Sequence, residues 1–287
     1  MDDMLRKIRT RKIVEKYKFR FSRSLGQNFL IDDQILKDIV NAAELTNESS
    51  VLEIGPGIGT LTAELAERAK KVLTVEIDDS LIAILEDVLK EYDNIKLLHG
   101  DALKLDLKTA CEGYLDEPIS ICANIPYYIT TPLINKFFKS GLNIKSIILM
   151  VQKEVAERMA AKPGGKDYGS LSLLVQYYSR PDIVTVASPQ CFMPRPKVDS
   201  TVIKLDMNDV PPVNVKDERL FFNIIRDSFG QRRKTLSNSL KTLAADRKIL
   251  DEAFEKCGID SKRRGETLSM QEFASLANVL YDITLIR

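Results

Sequence analysis

The run Asn124-Ile125-Pro126-Tyr127-Tyr128 sets an amide side chain, a main-chain carbonyl and two phenol rings within five residues. An aromatic amine is a poor nucleophile, because its lone pair is delocalised into the ring. Two acceptors aimed at its hydrogens, the side-chain oxygen of Asn124 and the carbonyl of Ile125, would pull the nitrogen toward tetrahedral geometry and localise that pair. The gain would come from positioning and electrostatics. Pro126 stiffens the turn and removes an N–H, so the turn offers carbonyls to the amine. Tyr127 is suited to stack on a planar base. Such chemistry needs neither histidine nor thiol, and the chain is poor in both. The single histidine, His99, follows Ile95, Leu97 and Leu98 and reads as a strand end. The four cysteines, Cys111, Cys122, Cys191 and Cys257, contain no CxxC pair. That inventory argues against structural zinc, a zinc deaminase centre and a disulfide framework, and no metal site is expected.

A second constellation lies upstream. Glu53-Ile54-Gly55-Pro56-Gly57-Ile58-Gly59-Thr60 joins an apolar strand to a helix. Glycines there let the backbone turn tightly and approach a ligand with no Cβ in the way. Glu76 ends the next apolar run, 21 residues after Gly55, where a carboxylate can accept from both hydroxyls of a ribose. Gly100-Asp101-Ala102 closes a third run, where an aspartate can accept from an adenine amino group. Three successive strand ends thus describe a bound adenosine. NAD and S-adenosylmethionine both carry one. The loop here is GxGxG preceded by an acid rather than GxGxxG, which favours the methyl donor. A nicotinamide oxidoreductase would also need a proton relay, and His99 is its one candidate.

The elements that must hold these residues follow from periodicity. Ile35, Leu36, Ile39, Val40 and Ala43 recur at helical spacing and predict a helix over 33–45. Val51–Ile54, 72–76 and 95–98 predict short buried strands, separated by a helix carrying Leu61 and Leu65 and another over 80–91. Further apolar runs at 119–123 and 146–151 flank a helix at 131–139. Alternating strands and helices imply a parallel sheet covered on both faces. Lys162–Asp167 is a loop by composition, and 182–187 and 200–206 predict strands around the proline-rich stretch Pro189–Pro196. Asn208–Asn214, with two adjacent prolines, is the best linker, and 217–287 reads as helices alone. The expected division is a catalytic domain over 1–210, with a basic segment at 1–24, and a helical domain over 211–287.

Charge supports a polyanionic partner. The 287 residues carry a net charge of +1, yet residues 1–24 hold nine Lys/Arg against three acids and residues 225–264 hold eleven against six. Basic segments on an acidic body suit phosphate contacts from particular faces. With 44% hydrophobic and 29% charged residues, the chain has the profile of a soluble globular protein. No apolar run approaches the roughly 18 residues of a membrane span, and the basic N-terminus has no apolar signal core, so a cytoplasmic location is expected.

The blocks Ser24–Leu30 (SLGQNFL), 55–62 (GPGIGTLT), Val75–Asp78, Gly100–Ala102, the NIPYY run and Phe192–Ser200 (FMPRPKVDS) together resemble the ribosomal RNA adenine N6-dimethyltransferases over about residues 20–287. Gln231–Leu240 and Arg263–Ser269 are similar to the KsgA-type branch of that family rather than to the Erm resistance branch. The resemblance implies an α/β fold: a Rossmann-like class I S-adenosylmethionine methyltransferase sheet with a smaller all-helical C-terminal domain that binds RNA or the ribosome. It implies S-adenosyl-L-methionine as donor, held by Asn28, Leu30, Gly55, Gly57, Glu76, Asp101 and Asn124. It sets Phe192 across a flipped adenine from Tyr127. The expected substrate is two adjacent adenines near the 3′ end of 16S rRNA within the assembling 30S subunit, with the protein acting as a monomer. Candidate RNA contacts are Arg23, Lys197, Arg232, Arg233 and Lys234. Two alternatives stay open here: an Erm-like enzyme acting on 23S rRNA, and a non-catalytic RNA-binding assembly factor on the same scaffold.

Overall fold

The computed structural model of the chain describes residues 12–19, 21–22, 25–231, 233–243 and 247–285. Nine strands are present among them: β1 (Phe29–Leu30), β2 (Ser50–Ile54), β3 (Lys71–Glu76), β4 (Ile95–His99), β5 (Ile119–Asn124), β6 (Ile144–Gln152), β7 (Ser179–Ala187), β8 (Phe192–Met193) and β9 (Ser200–Met207). Strand β2 is buried along its whole length, and β5 is buried except at its last residue. Strands this apolar must be covered on both faces, and the crossover helices of a parallel sheet do so. Seven of the strands form one sheet in the order β4-β3-β2-β5-β6-β9-β7, with β1 and β8 in a separate two-stranded ladder. The run from β4 to β6 is parallel, and β9 is antiparallel to β6. The fold is thus the mixed α/β sheet that the motifs imply.

The order turns back between β2 and β5, which leaves a crevice at their carboxyl ends. Register decides what borders it. Ile54 stands opposite Val75 and Ala123, so the glycine loop after β2, Glu76 at the end of β3 and Asn124 at the end of β5 emerge together. The flanking helices are capped by the residues just before them. Asp32 accepts from the N–H groups of Gln34 and Ile35 to start Asp33–Ala42, whose Ile35, Leu36, Ile39 and Val40 are buried. Asp78 accepts from Ser80 to start Asp79–Val88. Among the described residues of the N-terminal segment, Lys16 pairs with Asp87 at 2.6 Å, and Phe19 and Phe21 pack on Phe29 with ring centroids 5.6 and 5.2 Å away.

The chain divides into two compact units. One comprises Met1–Ala156 with Pro181–Met207, and the other Glu157–Arg180 with Asn208–Arg287. The cut after Met207 falls at the expected linker, but residues 157–180, placed by the sequence in the first domain, cluster with the C-terminal helices. The reason is apolar: Tyr168, Leu173 and Tyr177 share one buried cluster with Phe221, Leu236, Phe254 and Phe273. The Tyr168 hydroxyl also donates to the Leu268 carbonyl at 3.0 Å. Gln176 closes the turn before its own helix by donating to the carbonyls of Met159 and Ala161, both at 2.9 Å.

Candidate active site

A cavity of about 240 Å³ opens at the carboxyl edge of the sheet, wholly within the first unit. It brings together Asn28, Leu30, Gly55, Gly57, Glu76 and Asp101 from the donor set, and Asn124, Ile125, Pro126 and Tyr127 from the turn after β5. The fit to an adenosine-bearing ligand can be judged from the walls. Gly57 has φ +58°, and a Cβ there would crowd the Phe29 ring at 3.0 Å, so a side chain at this point of the loop would be strained. Glu76 is buried, and its Oε1 accepts from the N–H groups of Ile77 and Asp78, each at 2.8 Å. That anchors the carboxyl at the cavity wall. Burial raises its pKa above the ordinary carboxylate range, and the N–H groups of Asp78, Ile77 and Gly57 oppose the rise. Asp101 Oδ1 accepts from Leu103 N–H at 2.9 Å, and Lys104 stands 3.5 Å from Oδ2.

The orientation of the Asn124 amide is legible from its one bond. Nδ2 donates to the Asn28 carbonyl at 3.3 Å, so the NH2 end faces the wall and Oδ1 is the end left for a ligand. Asn28 in turn donates to the Gly26 carbonyl at 3.0 Å. In the turn itself, the Pro126 carbonyl is taken by Ile129 N–H. Tyr127 is half-buried, with its hydroxyl 2.7 Å from that of Ser200, and burial raises its pKa.

Two contributors escaped the sequence reading. Ser200 was visible only as the end of a motif block, yet it fixes the Tyr127 ring. Gln27 donates to Asp78 at 2.5 Å and accepts from Ser22 N–H at 2.7 Å. It thereby ties the segment over 25–30 to the turn after β3. A polar residue between two motif positions gave no sign of this tie.

Phe192 is not among the residues lining the cavity. It is 2% exposed, paired through β8 with Leu30 of β1, and belongs to the buried cluster of Leu36, Ile39 and Val202. In this structure the ring takes a core position, where a large apolar group beside the sheet gains more by burial than by facing water. Lys197 is exposed and stands off the cavity lining; Arg233 and Lys234 are exposed in the turn after the helix Glu218–Gly230. Arg23 and Arg232 lie outside the described residues. His99 ends β4, 3.0 Å from Asp79. Among the described residues, no group of three or more His, Cys, Asp or Glu is placed to hold a metal, and no helix is long and apolar enough to cross a membrane.

The family profile described as ribosomal RNA adenine dimethylase matches residues 18–282. The chain belongs to that family. Members of the ribosomal RNA adenine dimethylase family similar to it include the proteins named ribosomal RNA small subunit methyltransferase A of Clostridium botulinum strain Loch Maree and of Clostridium acetobutylicum. The first is 54% identical over 274 residues, covering 96% of this chain and 99% of that protein. The second is 53% identical over 277 residues, covering 96% and 100%. Among solved structures, a dimethyladenosine transferase from Plasmodium falciparum aligns with TM-score 0.74 and 30% identity, covering 86% of this chain and 95% of that one. The 23S rRNA methyltransferase ErmE aligns with TM-score 0.67 and 25% identity, covering 88% and 100%. The dimethylase fold here is therefore that of the S-adenosylmethionine-dependent methyltransferases.

Proposed function

We propose that this chain transfers methyl groups from S-adenosylmethionine to N6 of two adjacent adenines in the 3′-terminal hairpin of 16S rRNA, giving N6,N6-dimethyladenosine. It does so as a cytoplasmic monomer on the assembling 30S subunit. The observation that carries this reading is the Asn124 amide, turned by its bond to Asn28 so that its oxygen faces a cavity already bordered by Glu76 and Asp101. The names of the relatives at 54% and 53% identity favour the small subunit over 23S rRNA.

Glu76 accepts from the ribose hydroxyls of the donor, Asp101 from its adenine amino group, and the backbone around Gly55 and Gly57 approaches it closely. Asn28 and Leu30 cover it. Bound S-adenosylmethionine supplies a methyl on a cationic sulfonium that departs as a neutral thioether. The target adenine is drawn out of its stack, at a cost of a few kcal/mol that is least for a loop base. Tyr127 stacks on it. Asn124 Oδ1 and the Ile125 carbonyl accept from the two N6 hydrogens, N6 attacks the methyl in line as the carbon–sulfur bond breaks, and the nitrogen then gives up its extra proton to water. After the first transfer one hydrogen remains, so one of the two acceptors loses its partner in the second step. Pro126 keeps the turn rigid throughout. Phe192 can serve the other face of the base only after a shift of the loop that carries it.

Ser200→Ala removes the partner of the Tyr127 hydroxyl and should lower kcat about three- to tenfold, the worth of one neutral hydrogen bond. Donor affinity should stay unchanged. Steady-state methyl transfer checks this, and an unaltered rate would remove Ser200 from its role.

The C-terminal helical unit binds RNA through exposed cations, with Arg233 and Lys234 in its basic turn, Lys197 on the catalytic unit, and Arg23 and Arg232 as further contacts. Affinity for RNA should fall steeply with salt, and Arg233→Ala with Lys234→Ala should reduce the slope of log K against log salt by about two. A binding titration that is flat between low and physiological salt would count against a phosphate-dominated interface. The function itself is tested by tritiated-methyl transfer onto small subunits from an unmethylated strain, followed by nucleoside analysis. Dimethyladenosine mapped by primer extension to 16S rRNA is expected. A product on 23S rRNA, or none, would overturn the assignment.

A further inference from the structure

A polar cluster lies beneath the donor loop and has no part in the scheme above. Glu53, the acid that precedes the glycine loop, is 1% exposed; register sets it opposite Thr74 of β3 and Cys122 of β5. Thr62, from the helix Thr60–Ala66, completes the group and is wholly buried. Both carboxyl oxygens of Glu53 and the hydroxyls of Thr62 and Thr74 are cut off from solvent, with no partner at full hydrogen-bond geometry. The two hydroxyls nevertheless face the carboxyl closely enough to ease its ionisation.

A charge here would be costly. The groups that face Glu53 from each neighbouring element are neutral: the Thr74 hydroxyl, the Thr62 hydroxyl and the Cys122 thiol, whose own ionisation is opposed by burial and then by Glu53. Among the described residues, the charge that acts on Glu53 is the carboxylate of Glu76, which repels it. Burial first, and that repulsion last, push the Glu53 carboxyl up to about 7. A neutral carboxyl offers one O–H to donate and oxygens to accept, which suits two hydroxyls that can each do either. The placement matters because Ile54 and Gly55 follow Glu53 directly, Thr60 and Leu61 precede Thr62, and Glu76 follows Thr74 by two residues; all five line the cavity.

We infer that Glu53 is a positioning residue of the donor site, working as the neutral acid to join β2, β3 and the start of the helix Thr60–Ala66 through Thr74 and Thr62, and so to fix the glycine loop against Glu76. The inference rests on reading the cavity as the S-adenosylmethionine site.

The test compares the native chain with Glu53→Gln, a neutral isostere that does not titrate, by S-adenosylmethionine calorimetry from about pH 6 to 8.5. The donor's own amine titrates alike in both, so the informative quantity is the ratio of native to variant Kd. It should stand near one at pH 6 and rise to about tenfold at pH 8.5, as the native acid ionises. Thr62→Val should weaken the donor about fivefold at every pH. Thermal unfolding without ligand supplies a second readout. The folded acid holds its proton to a higher pH than the unfolded one, so the native chain should lose melting temperature relative to Glu53→Gln between about pH 5 and 7 and level off above. A flat Kd ratio, a ratio that falls with pH because the carboxylate serves the sulfonium charge, or a Gln variant already weak at pH 6 would overturn the role. If neither protein binds the donor at any pH, the reading of the cavity fails and this role with it.

Discussion

Asn124→Ala should abolish methyl transfer, lowering kcat by at least about a thousandfold, while S-adenosylmethionine affinity should stay within about fivefold of native. The asymmetry follows from what the amide touches. Its NH2 end makes one long bond to the Asn28 carbonyl, so its loss relaxes the cavity wall only slightly. In the proposed scheme its oxygen is the acceptor that makes an aromatic amine nucleophilic, an interaction needed most as N6 rehybridises in the transition state. Single-turnover transfer, with a parallel donor titration, separates the two effects. Full activity in this variant would remove the amide from the chemistry and leave only a structural tie.

Glu76→Gln should give the converse pattern. Donor affinity is expected to fall about thirtyfold or more, the worth of a hydrogen bond to a charged acceptor, and saturating donor should restore most of kcat. Glutamine keeps the shape and one oxygen for the N–H groups of Ile77 and Asp78, so the loop stays in place. The native protein should also lose donor affinity as pH falls. Burial raises the Glu76 pKa above the usual carboxylate range, and the acceptor for the ribose hydroxyls must be ionised, so binding is complete above that raised value and declines below it. The glutamine variant should lack this acid limb in a calorimetric pH series. An equal loss of kcat at saturating donor would instead assign Glu76 to the transfer step.

Most of the sheet was legible because its strands are continuous apolar runs ended by glycine or an acid. The runs expected at 95–98, 119–123 and 146–151 became β4, β5 and β6 with at most two residues added at either end. The helices expected at 33–45 and 80–91 end earlier, at Ala42 and Val88, although Ala43 and Leu89 beyond them are still buried; Glu44, at φ +48°, turns the chain out of the first helix. The ladder of β1 and β8 was invisible: two residues on each side have no period, and their pairing is decided by distant chain. The helix Ser170–Tyr178 was missed for a related reason. Its partners, Phe221 and Phe273, lie far along the chain, and its aromatic residues give no clean alternation. At the site, residues set by local loop chemistry were readable, whereas Ser200 and Gln27 act through long-range bonds that spacing does not encode. Phe192 marks the opposite limit, where a motif named the residue but not its surroundings.

The strand order has a consequence for how the molecule is made. Strand β7 precedes β9 in the chain, yet it lies outside β9 and has no place on the sheet until β9 has inserted beside β6. Synthesis runs from the N-terminus, so a nascent chain that has emerged only through residue 199 leaves β6 as a bare edge along its buried length and β7 without a seat. Such edges invite pairing with other chains. Wall and sheet alike therefore close late, when Phe192 reaches Leu30 and the last strand slides into its slot, and a chain interrupted in that interval is the form most exposed to aggregation.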